Sequence, residues 1–115
     1  IWIALDNTNK KNGSIFYFRE SHLIGIQEHQ SSYVPGSSQA IKNNHILKKF
    51  EKHQTKLNVG DVIVHNCMVL HGSDKNKTST QRTGLTLRYI PQKSKIDQEL
   101  KKIYERKLIK QIKSR

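Results

Sequence analysis

Two side chains in the second half of the chain, His71 and Arg82, are of the types that hold a metal ion and a carboxylate. His71 ends an apolar run and precedes Gly72, which allows a close approach of backbone. Arg82 follows eleven positions later (82 − 71 = 11), after a polar loop. Two antiparallel strands joined by such a loop would place the imidazole and the guanidinium on neighbouring rungs, suited to hold a metal ion and a dicarboxylate together. On spacing alone, a structural or solvent-exposed histidine remains the alternative for His71.

The elements that must position these side chains read as short strands separated by turns. The segments with this character are 2–5, 15–18, 62–65, 68–70 and 83–90. They predict a mainly β fold, a sandwich or barrel of jelly-roll character rather than a parallel α/β sheet. Because a full jelly roll has about eight strands, five strands predict only part of one.

The polar stretch 27–54 interrupts this β pattern. Residues Tyr33–Ser38 carry a loop signal that includes Pro35 and Gly36, and residues 41–50 are compatible with a short helix. The whole stretch is predicted to be an insertion loop.

The tail beyond residue 91 has a helical pattern and a strong positive charge. Residues 91–115 hold nine Lys and Arg against three Asp and Glu, so they carry +6 (9 − 3) of the formal net charge of +12. Apolar residues recur every three to four positions, at Ile96, Leu100, Ile103, Tyr104, Leu108 and Ile109. This spacing predicts a basic amphipathic C-terminal helix in residues 92–115, docked through its apolar face. Nucleic-acid binding is not favoured, because the aromatic residues are not interleaved with the basic ones.

Composition favours a soluble, cytoplasmic protein. No apolar run approaches the roughly 20 residues that cross a bilayer. The single cysteine, Cys67, has no partner for an internal disulfide, which fits a reducing compartment. The chain opens on apolar residues with no initiator Met and no features of a secreted precursor, so we expect it to begin within a strand of a larger domain.

Two stretches of the chain resemble the phytanoyl-CoA dioxygenase family of Fe(II)/2-oxoglutarate oxygenases. The first contains Trp2-Ile3-Ala4-Leu5-Asp6, Asn12-Gly13-Ser14 and Ser21-His22. The second contains Gly60-Asp61-Val62-Ile63-Val64-His65, Leu70-His71-Gly72-Ser73 and Arg82-Thr83-Gly84-Leu85-Thr86-Leu87-Arg88-Tyr89. The resemblance covers most of residues 1–91, which would form the C-terminal part of the oxygenase domain, and leaves the tail 92–115 outside it.

The resemblance implies a cupin-like double-stranded β-helix and an iron site. In such a site two His and one carboxylate hold Fe(II), 2-oxoglutarate chelates the metal, and O2 takes the remaining position. His71 would be the distal His, Arg82 would pair with the far carboxylate of 2-oxoglutarate, Ser73 would hydrogen-bond the same carboxylate, and Trp2 would pack beside the cosubstrate. For Trp2 a core aromatic role, and for Ser73 a turn role, remain alternatives.

Two further residues stay open as site candidates. Arg88 lies an even number of positions from Arg82, so both could share one strand face, and Arg88 is a second candidate anchor. His65 could line the pocket or support the metal site, with a packed strand histidine as the alternative.

The chain also departs from the family pattern. The two upstream ligands form a His-x-Asp pair in the family, and no His-x-Asp or His-x-Glu occurs in this sequence. We therefore expect the chain to be inactive alone and to need the upstream part of its own domain, since a facial triad uses three protein groups. In addition, Arg19-Glu20 replaces the family's Pro-Gly at the pocket rim.

The resemblance implies that the intact enzyme is an Fe(II)- and 2-oxoglutarate-dependent dioxygenase that hydroxylates a small-molecule substrate, with halogenation also open. A basic rim would suit an anionic substrate. The rival interpretations are a non-catalytic basic β-sandwich binding module and a decayed gene fragment.

Overall fold

Short antiparallel strands make up most of the regular structure. The computed structural model describes residues 1–33 and 39–114. Its strands are β1 (Trp2–Ala4), β2 (Ile15–Phe18), β3 (His29–Ser31), β4 (Gln39–Ile41), β5 (Lys52–Gln54), β6 (Val62–Ile63), β7 (His71–Ser73) and β8 (Gly84–Thr86). Two 3-10 helices, Ser21–Ile24 and Asn44–Lys49, and one α-helix, α1 (Gln98–Lys113), complete the elements. The mostly β character and the C-terminal helix are confirmed, whereas the jelly roll stays a prediction.

The chain divides into two compact units. The first consists of Ile1–Ile26 and His45–Tyr89, and the second of Gln27–Asn44 and Ile90–Arg115. The first unit contains two three-stranded antiparallel sheets, ordered β6-β1-β8 and β5-β2-β7. The second contains the β3–β4 hairpin and α1.

Apolar side chains of β1 and β2 form the core of the first unit. Trp2 and Ala4 of β1 and Ile15 of β2 are buried, and Tyr17 and Leu57 pack against them. The Trp2 ring covers the backbone of Gly84 on the paired strand β8, where any Cβ atom would overlap the indole. A glycine at position 84 is therefore required for the close packing of these two strands.

One predicted strand is a turn instead. Residues 68–70 were expected to continue an extended segment, but a turn forms at Cys67 and Met68. The Asn66 side chain accepts a hydrogen bond from the Met68 amide at 2.9 Å, and the Asn66 backbone carbonyl accepts one from the Val69 amide at 3.1 Å. An asparagine that bonds the backbone two residues on stabilises a turn against the extended conformation, and this outweighs the β propensity of the apolar run.

Other predicted boundaries shift as well. The predicted strands 62–65 and 83–90 are limited to β6 and β8, and the predicted helix at 41–50 is the 3-10 helix Asn44–Lys49. The predicted insertion loop 27–54 contains strands β3, β4 and β5. Most of the predicted loop Tyr33–Ser38 lies outside the described residues.

Helix α1 begins at a well-formed cap but does not bury the predicted face. The Asp97 carboxylate accepts hydrogen bonds from the amides of Glu99 and Leu100, both at 3.0 Å. Its most buried side chain is Gln111, at 1% exposure, and α1 contacts β3. Four of the apolar residues expected to dock are exposed instead: Ile96, Leu100, Ile103 and Ile109. The prediction of a helix docked through this face is therefore wrong for these four positions.

None of the helices in the described ranges combines the length and apolar character that a bilayer crossing demands.

Candidate functional site

The pairing of β2 with β7 places Tyr17 directly opposite His71, and Ile15 opposite Ser73. Since side chains alternate between the faces of a sheet, these four residues share one face. Ile15 is buried, and Tyr17 packs against the core that contains Trp2. His71 and Ser73 therefore lie on the core side of their sheet, and His71 is still exposed to solvent.

Hydrogen bonds on both sides of Leu70 fix the start of β7. The Leu70 carbonyl accepts from the Phe18 amide at 2.9 Å, and the Leu70 amide donates to Ser21 Oγ at 2.8 Å. Ser21 is fully buried, and its hydroxyl donates to the Phe18 carbonyl at 2.7 Å. The backbone that carries His71 is thus tied to the end of β2 by groups shielded from water.

The ring of Phe16 explains why a glycine follows His71. It lies opposite Phe16, on the other face of the sheet from His71. A Cβ atom at position 72 would come within 2.8 Å of Phe16 Cζ. The close approach predicted for Gly72 is therefore that of an aromatic ring.

The ring of His71 is oriented by a backbone carbonyl. His71 Nδ1 lies 2.8 Å from the carbonyl oxygen of Val69. A carbonyl only accepts hydrogen bonds, so Nδ1 carries the proton and, in the neutral ring, the lone pair is on Nε2. Histidine ligands of metals typically have this arrangement, in which the second nitrogen donates to a carbonyl or carboxylate.

Tyr17, His65 and His71 form a cluster of three rings. The ring centroids are 5.2 Å apart for Tyr17 and His65, 5.8 Å for Tyr17 and His71, and 5.0 Å for His65 and His71. Tyr17 Oη and His65 Nδ1 are 3.2 Å apart and share a hydrogen bond. The structure therefore brings His65, an open candidate from the sequence, next to His71.

Burial shifts the pKa values of two side chains in this cluster, His65 and Tyr17. It lowers the pKa of His65, which is reduced further by the neighbouring charge of His71. Burial also raises the pKa of the Tyr17 phenol. Both shifts favour neutral side chains, and neutral imidazole is the form that binds metals.

Arg82 reaches back to Ser73. Arg82 Nη2 lies 3.4 Å from Ser73 Oγ, and the Arg82 side chain is half-buried. The next residue is held in place, because the Thr83 amide donates to Asp6 Oδ2 at 2.8 Å and the Thr83 carbonyl accepts from the Leu5 amide at 3.0 Å. The predicted pairing of the strands that carry His71 and Arg82 is wrong, because β7 pairs with β2 and β8 pairs with β1 in the other sheet. The loop between the two sheets nevertheless brings Arg82 to Ser73, two positions after His71.

Trp2 is a core residue in this structure, with 6% of its surface exposed. It shares the core cluster with Tyr17, which faces His71. Its predicted contact with a cosubstrate stays a prediction. The second candidate anchor, Arg88, is exposed.

Comparison with known families assigns the chain to one of them. The sequence model of the phytanoyl-CoA dioxygenase (PhyH) family matches residues 1–84, which is more than half of the 115 residues. The chain belongs to the phytanoyl-CoA dioxygenase family. The matched range contains Trp2, His71, Ser73 and Arg82, and it ends before the basic tail. No curated protein and no solved structure is significantly similar to the chain.

The donor set fits the iron of a phytanoyl-CoA dioxygenase only in part. His71 has the orientation and the available Nε2 that a ligand needs. Across residues 1–33 and 39–114, however, no group of three His, Cys, Asp or Glu side chains is placed to hold a metal ion. Because the facial triad needs three protein groups, these residues do not complete it.

Sequence reasoning missed Tyr17 as a member of the site. In the sequence it is one of several aromatics in the run Ile15 to Phe18, and any of them could face the core. The alternation of strand faces distinguishes Tyr17 from Phe16 and Phe18, but only once the β2–β7 register is known. The sequence therefore lacked the β2–β7 register that is needed to identify Tyr17.

Proposed function

We propose that this chain supplies the distal half of the active site of an Fe(II)- and 2-oxoglutarate-dependent dioxygenase that hydroxylates a small molecule. His71 is the distal iron ligand, Arg82 and Ser73 bind the far carboxylate of 2-oxoglutarate, and Trp2 packs beside that cosubstrate. Iron, with 2-oxoglutarate and O2, supplies the oxidising chemistry. The chain's own residues bind and orient the cosubstrate.

The observation that carries this proposal is the distance between Arg82 Nη2 and Ser73 Oγ, 3.4 Å, on the same sheet face as His71. Positions 71 and 73 are two residues apart on one strand, which separates them by roughly 6.6–6.8 Å. This spacing is comparable to the length of a five-carbon dicarboxylate. A guanidinium beside a hydroxyl provides charge-assisted hydrogen bonds to its far carboxylate.

In this proposal the iron needs ligands in addition to those of this chain. His71 offers one nitrogen, and the other two members of a facial triad come from a His-x-Asp segment upstream in the same domain. The chain alone is then inactive, and activity belongs to the polypeptide that contains both segments.

The test is a turnover assay on a polypeptide that joins an upstream segment bearing His-x-Asp to residues 1–115. With Fe(II) and 2-oxoglutarate it should release succinate, and His71→Ala should abolish the release. Arg82→Ala should raise the KM for 2-oxoglutarate by about ten- to a hundredfold, since charge-assisted hydrogen bonds are worth roughly 1.5–3 kcal/mol. Undiminished turnover of His71→Ala would refute the assignment.

Arg88→Ala is the matched control, because Arg88 is exposed and lies six positions after Arg82. Its KM for 2-oxoglutarate should equal that of the unaltered protein. If Arg88→Ala raises KM and Arg82→Ala does not, the anchor is Arg88.

A cleft in the second unit favours a second candidate function, the binding of an anionic ligand. The cleft has a volume of about 470 Å³, and Lys42, Lys107 and Lys110 line it together with Glu28. Lys42 Nζ is 2.8 Å from Glu28 Oε1, so one of the three lysine charges is offset. This cleft supports a basic binding module, or a basic site for an anionic substrate.

Titration with tripolyphosphate tests this second candidate. The double variant Lys107→Gln/Lys110→Gln should weaken binding at least tenfold at low salt, because both charges line the cleft. Lys93→Gln/Lys95→Gln removes the same charge from exposed positions that do not line the cleft, and should change the affinity less than twofold. Equal losses in both double variants would show attraction to net charge instead of a site.

A further inference from the structure

We propose that the cleft of the second unit binds a nucleoside polyphosphate, with the Tyr33 ring stacked on the base and Lys107 and Lys110 bound to the phosphates. This rests on the second candidate function, the binding of an anionic ligand, and names the class of that ligand. It is independent of the dioxygenase function proposed for the first unit.

Tyr33 gives the cleft an aromatic surface. It lines the cleft, and 59% of its surface is exposed. The backbone φ of Tyr33 is 56°, in the left-handed region that bulky residues seldom adopt. Residues held in such conformations cluster at ligand-binding sites. An exposed ring in this position offers a π face on which any nucleobase can stack.

The cleft also carries an excess of positive charge. Lys107 and Lys110 are three positions apart on α1, so they are neighbours on the helix surface, and both line the cleft. Lys42 lines it too, and its ammonium group is 2.8 Å from Glu28 Oε1. Three lysines against one glutamate give the lining residues a charge of +2 (3 − 1). Because ammonium groups donate charge-assisted hydrogen bonds to phosphate oxygens, the cleft favours a ligand with several phosphate charges.

The charged groups and the aromatic ring flank opposite ends of β3. Glu28 precedes the strand, and Tyr33 follows it by two positions. The hydrogen bond from Lys42, and then the charges of Lys42 and Lys107, lower the pKa of Glu28, so Lys107 lies toward the Glu28 end. Five positions of extended chain span at most roughly 17 Å. An extended nucleoside triphosphate has a comparable length, with its base at one end and its last phosphate at the other.

The size and the remaining lining of the cleft suit the same ligand. Its volume of about 470 Å³ lies within the roughly 300–1,000 Å³ that is usual for sites of small molecules and cofactors. His29, Gln30 and Ser31 of β3 also line it. Their side chains can donate and accept hydrogen bonds, as the hydroxyl groups of a ribose require. The cleft therefore offers a partner for each part of a nucleotide.

The experiment is calorimetric titration of the full chain at low salt with ATP and with tripolyphosphate, combined with NMR of the tyrosine rings. Both ligands carry three phosphates, so they differ in the adenosine. ATP should bind about fivefold or more tightly than tripolyphosphate, because stacking on an aromatic side chain adds to the phosphate contacts. The Tyr33 ring protons should shift upfield with ATP, through the ring current of the stacked base, and stay in place with tripolyphosphate.

Variants of Tyr33 separate stacking from a structural role. Tyr33→Ala should weaken ATP binding about fivefold or more and leave the affinity for tripolyphosphate nearly unchanged, because only the base has lost its partner. Tyr33→Phe keeps the ring and should bind ATP as the unaltered chain does. Tyr89→Ala is the matched control, because Tyr89 is also exposed, at 75%, but lies in the first unit and does not line the cleft. Its affinity for ATP should equal that of the unaltered chain.

The outcomes separate this inference from the second candidate function. If Lys107→Gln/Lys110→Gln weakens tripolyphosphate binding, but ATP binds no more tightly and Tyr33→Ala has no effect, the nucleotide inference is wrong and the anion site stands. If Tyr33→Ala weakens both ligands equally, the ring supports the cleft without stacking, and the inference is again wrong. If neither ligand binds, the inference and the second candidate function both fail.

Discussion

The two units of this chain place their polar groups very differently. In the first unit, the cluster of Tyr17, His65 and His71 lies beside a core that contains Trp2. In the second, the most buried side chain of α1 is a glutamine, Gln111, and the lysines line an open cleft. Because packed side chains are held in single conformations, the first unit can keep polar groups beside its core in a fixed geometry. The second unit offers charge with little fixed geometry.

Removal of a core ring should show the largest difference between the units. Trp2→Ala should lower the free energy of unfolding by about 3–5 kcal/mol, since Trp2 is buried and covers Gly84. Leu100→Ala, on the exposed side of α1 at 63% exposure, should change it by less than about 0.5 kcal/mol. Urea denaturation followed by far-UV circular dichroism measures both. Similar losses in the two variants would show that α1 is buried in solution, contrary to the comparison.

Addition of one methyl group tests the same core from the opposite direction. Gly84→Ala should destabilise the chain by about 1–3 kcal/mol, because its Cβ would overlap the Trp2 indole and force the ring to move. Leu85→Ala is the control, since Leu85 lies on the same strand opposite Ile3, on the other face of the sheet from Trp2, and is exposed. The change in Trp2 fluorescence should accompany the loss of stability only in Gly84→Ala. An unchanged emission spectrum in that variant would mean that Trp2 does not cover Gly84.

A smaller, local effect is expected in the second unit. Asp97→Ala removes the cap that accepts from the Glu99 and Leu100 amides and should cost about 1 kcal/mol. Asp97→Asn keeps an acceptor at the same place and should retain most of the stability. Hydrogen exchange of the first turn of α1 measures the loss without depending on the first unit. Equal exchange rates in Asp97→Ala and the unaltered chain would contradict the cap.

The positions of the strands could be predicted from the sequence better than their contacts. The aromatic run at 15–18 and the apolar start of the chain both form strands, because their side chains suit a pleated, half-buried surface. Residues 68–70 are also apolar but form no strand, because the Asn66 side chain bonds the Met68 amide and stabilises a turn at Cys67 and Met68. A local hydrogen bond from one polar side chain thus determines the turn, and the pattern of apolar residues does not reveal it.

The residues of the candidate site also differ in how well the sequence predicts them. Family motifs identified His71, Ser73 and Arg82, and the structure brings them together. The positions of Tyr17 and His65 beside His71 depend on the register of β2 against β7 and on a hydrogen bond between residues 48 positions apart. Contacts of that kind are set by tertiary packing, so neither composition nor spacing could predict them. The burial of Gln111 could not be predicted either, because glutamine is polar and is usually exposed.

The smallest predicted effect concerns two carboxylates, one in each unit, whose pKa values are lowered for different reasons. Hydrogen bonds from the Thr83 side chain and then from its amide lower the pKa of Asp6, whereas the hydrogen bond from Lys42 and then the charges of Lys42 and Lys107 lower that of Glu28. A carboxyl group with a lowered folded-state pKa contributes stability above its unfolded pKa, about 4 for both residue types, and loses it as the pH falls through the folded value. In NMR titrations of the carboxyl carbons, 1 M salt should move the pKa of Glu28 toward its ordinary value and leave that of Asp6 nearly unchanged, because salt screens exposed charges but not short hydrogen bonds to neutral groups. Equal movement of both would mean that Asp6 also depends on the positive charge of the chain, and the contrast between the two units would not extend to their carboxylates.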